Sequence, residues 1–411
     1  MTGRFWLETL GCPKNQVDSD KLAGTLAAEG MVPAEGPEGA DLVVVNTCAF
    51  IGEAREESVA TILDIDGRRP EGSRLVVTGC MAERYGAELA EALPEVDRVA
   101  GFGVPVALGR SPAVPSLDLL NLPRPPAERP WAYLKIAEGC DRACGFCAIP
   151  SFRGPQRSRD LDSLLAEVDQ LGAREIVLVA QDLAAWGRDV GRGGAIVDLV
   201  GAVAARVDRV RLLYLYPSDL NDRLIEAVVA TGVPYFDLSL QHVSAPHLRR
   251  MRRWGNGDRF RASMDRIREL SPEAVFRSNF IVGYPGETED DHAALVDFVT
   301  EVGLDWCGFF LYSEEEGTHA AGLEPKVPAE VARERLRELT ELQDRVTAER
   351  RAALIGDVVE VLVDRPGEGR SHREAPEIDG VVRVPGDLAV GEFHRVVVVD
   401  SEGPDLVAVS R

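Results

Sequence analysis

The sequence predicts an α/β protein in three parts: an N-terminal parallel-sheet domain, a full or partial barrel of the TIM type, and a small OB-like antiparallel β-barrel. Three observations carry this reading. Short apolar runs alternate with amphipathic stretches through most of the chain, the pattern of strand–helix units on a parallel sheet. A proline-rich stretch, 111–130, interrupts the alternation and reads as a linker. After Gly356 the texture changes to short β-rich runs separated by turn residues.

The elements follow in order. In the first domain, 1–110, Phe5–Leu10, Asp41–Asn46 and Leu75–Gly79 read as strands. Helical patterns lie around Ser19–Glu29, Ala54–Ile65 and Glu83–Ala92. Cys12, Cys48 and Cys80 each fall just after a strand. Open α/β sheets gather ligands at those carboxyl ends, so three distant cysteines can converge there. In the second domain, 131–344, Ala132–Ile136, Glu175–Ala180, Arg211–Tyr214, Tyr235–Leu240, Val275–Ile281 and Trp306–Tyr312 read as strands, most followed by helical patterns. The charged stretch Val327–Leu354 reads as an exposed helical connector. In the last part, 345–411, the β-rich runs are Val358–Val363, Gly380–Val384, Arg395–Asp400 and Leu406–Val409.

Composition narrows the function. The chain has 411 residues, and 45% hydrophobic content supports real cores. A net charge of −22 works against broad contact with nucleic-acid phosphate and suits a basic protein partner. No apolar run is long enough to cross a bilayer, and Met1–Gly11 reads as a strand and not as a signal peptide. Seven cysteines, an odd number in clusters, favour the reducing cytoplasm over a disulfide scaffold.

The most informative motif is Cys140-x3-Cys144-x2-Cys147, in the loop after the first barrel strand. Three thiolates can hold three irons of a [4Fe–4S] cube and leave the fourth iron open for a cofactor. A closed zinc site wants four ligands, and no fourth cysteine or nearby histidine stands at suitable spacing. Cys12, Cys48 and Cys80 are a weaker signal alone, because single buried cysteines are common core residues. Cys307 belongs to neither set and reads as an apolar core residue.

With Phe146 at the aromatic position, the motif resembles that of the radical S-adenosylmethionine (SAM) superfamily. The contexts Leu10-Gly-Cys-Pro-Lys-Asn15, Val45-Asn-Thr-Cys48 and Val77-Thr-Gly-Cys80 resemble the N-terminal domain of the methylthiotransferases, a family that ends in a TRAM domain. Nearly the whole chain is covered. Ala49 and Ala148 depart from the Gly and Ile common there and remove no ligand. The resemblance implies two [4Fe–4S] clusters, one on each set of three cysteines, with SAM as methyl donor and radical source. It implies Cys140, Cys144 and Cys147 as the catalytic set, and an electron donor such as flavodoxin or ferredoxin.

Within the family, Gly11-Cys-Pro-Lys-Asn-Gln-Val-Asp18-Ser19 and Glu374-Ala-Pro-Glu377-Ile-Asp379-Gly380 resemble the branch that modifies an aspartate of ribosomal small-subunit protein twelve, free or in the ribosomal particle. The competing branch modifies a tRNA adenosine next to the anticodon. A third reading, a non-enzymatic iron–sulfur scaffold that docks on the ribosome, leaves open coordination sites without a purpose. From Arg351 onward twelve acidic residues face seven basic ones, and Phe393 is the one Phe, Trp or Tyr. Stable RNA binding is not expected of such a surface.

Gln181 and Gln241, at the ends of the second and fourth barrel strands, could reach SAM or substrate, or be ordinary polar residues. Gly283 and Glu287 lie in a glycine-rich turn after the fifth strand, a region the family uses near the adenine of SAM. Arg277 could neutralise a carboxylate of SAM or substrate, or form a structural salt bridge. The run Glu314-Glu-Glu316 reads as a solvated stretch.

Overall fold

A computed structural model describes residues 3–102 and 119–411. The first part holds one parallel sheet, in the order Val32–Pro33, Arg4–Thr9, Leu42–Thr47, Arg74–Gly79, Arg98–Val99. Leu42–Thr47 is buried along its whole length, as a central strand covered on both faces must be. The first helix, Pro13–Ala28, starts earlier than its apolar period indicates. Pro13 presets the backbone of the first turn. Lys14, Asn15, Asp18 and Ser19 are buried there, so the inward face is polar and hid the period.

The barrel of the second part has six strands in two parallel sheets, beside a short antiparallel pair, Ala137–Glu138 with Arg157–Ser158. One holds Trp131–Lys135, Glu175–Val179 and Arg209–Leu212. The other holds Tyr235–Gln241, Val275–Val282 and Trp306–Leu311. A bridge between Leu215 and Leu238 joins them. Among the described residues no pairing links the first strand to the last, so the barrel is partial. The main core, with Leu134, Ile176, Phe236, Phe276 and Leu295, lies between these strands and their helices.

Of the stretch read as a linker, 111–118 lies outside the described residues. The rest is packed. Arg124 is buried against the Tyr133 carbonyl, Asp20 and Glu167. The charged helix Ala329–Ala352 is no exposed connector either. Ala332, Arg335, Leu339, Gln343, Thr347 and Arg351 are buried along one face, and Gln343 and Thr347 bond the carbonyls of Leu304 and Asp305. Its inward face is partly polar and therefore looked like solvent-facing sequence.

The C-terminal part is a closed five-stranded barrel, Val358–Arg365, Glu368–Arg370, Val382–Arg383, Asp405–Ser410 and Phe393–Glu402. It is not wholly antiparallel, because Val382–Arg383 runs parallel to Asp405–Ser410. The chain between Arg370 and Val382 leaves this barrel and seals the floor of the larger one. Ala375 packs with Trp131, Tyr235, Val275 and Trp306, the first residues of four strands. Trp306 Nε1 donates to the Arg373 carbonyl at 2.7 Å, Tyr133 Oη to that of Pro376 at 2.9 Å, and Arg211 to that of His372 at 3.0 Å. The signature segment of the C-terminal part is thus a plug that buries the Glu374 and Asp379 side chains, while Glu377 stays exposed.

Candidate functional site: two sets of three cysteines

Cys12, Cys48 and Cys80 sit at the carboxyl ends of three adjacent parallel strands, each shortly before a helix or as its first residue. Helix N-termini offer free N–H groups and a positive dipole end, which favour thiolates. Gly11 has φ +98°, and a Cβ there would lie 2.9 Å from Cys48 Cβ, so only glycine allows this approach. Asn15 ties the strand ends together, its Nδ2 donating to the Leu10 carbonyl at 2.8 Å and the Thr47 carbonyl at 3.1 Å. Burial pushes the Cys48 thiol up to about 11 and raises that of Cys80. Burial acts the same way on Cys12, but Lys14, Arg153 and the N–H groups of the first helical turn outweigh it and lower that thiol.

A buried polar network leads from this set to the barrel. Arg153 Nη2 donates to Cys80 Sγ and to Asn15 Oδ1, each at 2.9 Å. Its Nη1 donates to both carboxylate oxygens of Glu138, at 2.9 Å. Lys135 pairs with Glu138 and, at 2.6 Å, with Asp18. Burial would raise the Glu138 carboxyl, but Arg153 and Lys135 together hold it far below the ordinary range. Gln181 Nε2 joins the same carboxylate at 2.8 Å, while its carbonyl oxygen is buried without a partner among the described residues.

Cys140, Cys144 and Cys147 share one loop at the end of the first barrel strand. Gly139, at φ +77°, is required there because a Cβ would strike the Pro155 carbonyl. Gly145 docks by its N–H on the Met251 carbonyl at 2.8 Å. Arg253 donates to Cys144 Sγ at 3.4 Å and lies 3.9 Å from the Tyr216 ring centroid, and the Arg142 N–H approaches Cys140 Sγ at 3.4 Å. Burial pushes Cys140 up to about 11 and Cys147 to about 12.

Neither set brings its three sulfurs all within 4.8 Å of one another. Thiolates on one zinc ion stand about 3.8 Å apart, given Zn–S bonds of about 2.3 Å. The wider spacing suits a cluster in which each thiolate takes its own iron. Among the described residues His242, His247 and Glu287 do come that close. Arg335 pairs with Glu287 at 3.2 Å, and a cation beside a guanidinium is disfavoured. Burial lowers His247 to about 4 and His242 well below its usual value, so both rings are neutral.

The other residues singled out from sequence divide. Gln241 ends its strand at φ +72°, where the register to Val275–Val282 slips, a conformation unusual for a residue with a side chain. Phe146 packs against the barrel core. Arg277 pairs with Asp237 at 3.2 Å and Asp379 at 3.5 Å, a structural bridge to the plug. Gly283 faces Ala332 of the long helix, where a Cβ would meet its Cβ at 2.6 Å. Glu287 accepts from the Gly283 N–H and so braces the turn. Cys307 packs on the core, outside both sets. The run of glutamates is not all solvated, since buried Glu315 pairs at 2.6 Å with Arg55 and with Arg84 of the N-terminal domain. Sequence reasoning assigned no role to Lys135, Glu138, Arg153 or Arg253. Charged residues flanking the apolar stretch of a first barrel strand were the available signal for the first two.

Three family models match the chain: Uncharacterized protein family UPF0004 over 4–101, the Radical SAM superfamily over 134–299 and the TRAM domain over 355–410. A solved radical S-adenosylmethionine methyltransferase, TsrM from Kitasatospora setae, has a similar fold, with a TM-score of 0.52 and 16% identity over 75% of this chain and 73% of its own. Relatives named "Ribosomal protein uS12 methylthiotransferase RimO" are far more similar. That of Saccharopolyspora erythraea is 42% identical over 98% of this chain and 94% of its own. That of Moorella thermoacetica is 44% identical over 92% of each. Such identity across all three parts, cysteine domain, radical SAM barrel and TRAM barrel together, means that the chain belongs to the RimO family of ribosomal protein uS12 methylthiotransferases.

Proposed function

We propose that this chain replaces a hydrogen on the β-carbon of an aspartate in ribosomal protein uS12 with a methylthio group. Cys140, Cys144 and Cys147 hold one [4Fe–4S] cluster, and Cys12, Cys48 and Cys80 a second. When bound, these clusters and SAM supply the electron, the hydrogen-abstracting group and the methylated sulfur. The observation that carries the reading is that two three-cysteine sets, on different domains, are joined through one buried network from Cys80 to Glu138, two residues before Cys140.

The chain's own residues then have distinct tasks. Gln181 presents an unpartnered carbonyl oxygen beside Glu138, a group able to accept from the SAM ammonium. Arg253 and the loop N–H groups stabilise the barrel thiolates. The plug Ser371–Asp379 keeps water from the barrel floor, so that reactive species meet substrate alone.

The C-terminal barrel supports a protein substrate over RNA. Phe393, its one large aromatic, is engaged by Arg209 and Arg174 at 4.6 and 5.1 Å from the ring centroid, so it is not free to stack on a base. No described helix is long and apolar enough to cross a membrane. We assign the protein to the cytoplasm, with reduced flavodoxin or ferredoxin as electron source.

The test is anaerobic reconstitution with SAM and reductant, offering free uS12, the small ribosomal particle and tRNA in parallel, with mass spectrometry for an added methylthio group. Modification of the aspartate is expected. Modification of tRNA alone would keep the chemistry and overturn the substrate.

A further inference from the structure

We propose that Arg153 is a positioning residue that the barrel's cysteine loop lends to the other cysteine set, fixing Cys80 and raising the reduction potential of the N-terminal cluster. The proposal rests on the reading that Cys12, Cys48 and Cys80 hold a cluster.

The juxtaposition is specific. Arg153 ends the short helix Ile149–Arg153, which begins two residues after Cys147. The next residue, Gly154, accepts the Cys140 N–H at 3.1 Å. The arginine is therefore part of the same folded loop as the barrel cysteines. Yet its Nη2 points across the domain boundary to Cys80 Sγ at 2.9 Å. The side chain is 2% exposed, so the guanidinium is shielded from bulk solvent.

Both Nη groups have further partners. Nη1 meets both oxygens of Glu138 at 2.9 Å and Asp18 at 3.5 Å, and Nη2 also meets Asn15 at 2.9 Å. Such a planar fork holds its direction, which a lysine ammonium on a flexible stem cannot do. An N–H aimed at a ligating sulfur withdraws negative charge from it, and hydrogen bonds to sulfur are one of the levers that set cluster potentials. In a buried site that effect is screened much less than at the surface. Among the described hydrogen bonds Cys80 Sγ accepts from no other side chain. Arg253 is the corresponding donor to Cys144 but comes no closer than 3.4 Å.

The test uses the full chain, reconstituted without oxygen, as wild type, Arg153→Lys and Glu138→Gln. Redox titration followed by electron paramagnetic resonance reads both clusters, and added SAM marks the barrel signal. Arg153→Lys is expected to lower the potential of the N-terminal cluster, or to empty that site alone, while the barrel cluster keeps its iron and potential. Glu138→Gln leaves the guanidinium on Cys80 and is expected not to lower it. Full loading at unchanged potential in Arg153→Lys would overturn the proposal. So would loss of iron from both sites alike, or an equal drop in Glu138→Gln, since either marks a purely structural role. A wild type that binds one cluster only would instead remove the two-cluster reading itself, before any variant is made.

Discussion

The two cysteine sets offer the same three thiols and are built in opposite ways. The barrel set is local: it falls within the eight residues Cys140–Cys147 of one loop, with Gly139 just before it allowing the turn and Gly145 the close approach to Met251. The N-terminal set spans Cys12 to Cys80 and exists only because three parallel strands lie in register and end side by side. A loop can be read as a motif because its geometry is carried by neighbours in sequence. A sheet-edge site depends on every contact that holds the strands level, and Asn15 and Arg153 are two of them.

The largest expected effects test that division directly. Alanine at Cys140, Cys144 or Cys147 is expected to remove both methylthio product and SAM cleavage. Alanine at Cys12, Cys48 or Cys80 is expected to remove product while 5′-deoxyadenosine still forms, as chromatography of quenched reactions would report. A cysteine of the first domain that also proves essential for SAM cleavage would break the comparison.

Next comes the latch between the domains. Glu315 accepts from Arg55, Arg84 and Ser313, each at 2.6 Å. Glu315→Ala leaves Arg84 largely buried without its partner, and the cost is about 3 kcal/mol of stability. Hydrogen exchange is expected to rise in Gly52–Arg68 and Cys80–Ala92 and not in the barrel strands. A uniform rise would mean that the two sites are not separately held.

A smaller effect attaches to the sheet-edge turn. Gly11→Ala places a side chain at φ +98° and against Cys48, a strain of about 2 kcal/mol. Iron analysis is expected to show the N-terminal site depleted and the barrel site intact.

The smallest effect concerns the barrel floor. Burial raises the Asp379 carboxyl to about 6, although Arg277 and the Tyr235 hydroxyl pull it down. An unfolded Asp titrates near about 4. The folded state therefore binds this proton more tightly and gains stability as pH falls from 6 toward 4. The advantage is absent above 6. The stability of the wild type relative to Asp379→Asn is thus expected to be greater at pH 5 than at pH 7 by about 1 kcal/mol. Denaturant unfolding at the two pH values measures it, and a difference independent of pH would detach the plug from this account.

Much of the architecture was legible. The six barrel strands, the three longer first-domain strands and both cysteine sets stand at or close to where apolar runs and turn residues put them, although Arg209–Leu212 begins before the stretch Arg211–Tyr214 and the short strands Val32–Pro33 and Arg98–Val99 went unread. What stayed hidden shares one property, a polar group that faces inward. The helix Pro13–Ala28 buries Lys14, Asn15 and Asp18, and the long helix buries Arg335, Gln343 and Arg351. Glu315 reads as part of a solvated run and is an internal tie, and the segment Ser371–Asp379, which reads only as a signature, buries Ser371, Glu374 and Ala375 under the barrel. Hydrophobic period cannot mark such residues, because their partners lie far along the chain.

The sequence by itself determined the two sets of three cysteines, the order of the elements and the family, since these follow from residue types and spacings along one line. The tertiary structure alone decided that Arg153 of one cysteine loop meets a sulfur of the other set, and that the acidic C-terminal signature seals the barrel. The physical reason is the cost of burying charge. A guanidinium or carboxylate enters the interior only where distant groups supply its counter-charge and hydrogen bonds, and those partners are assembled by the fold.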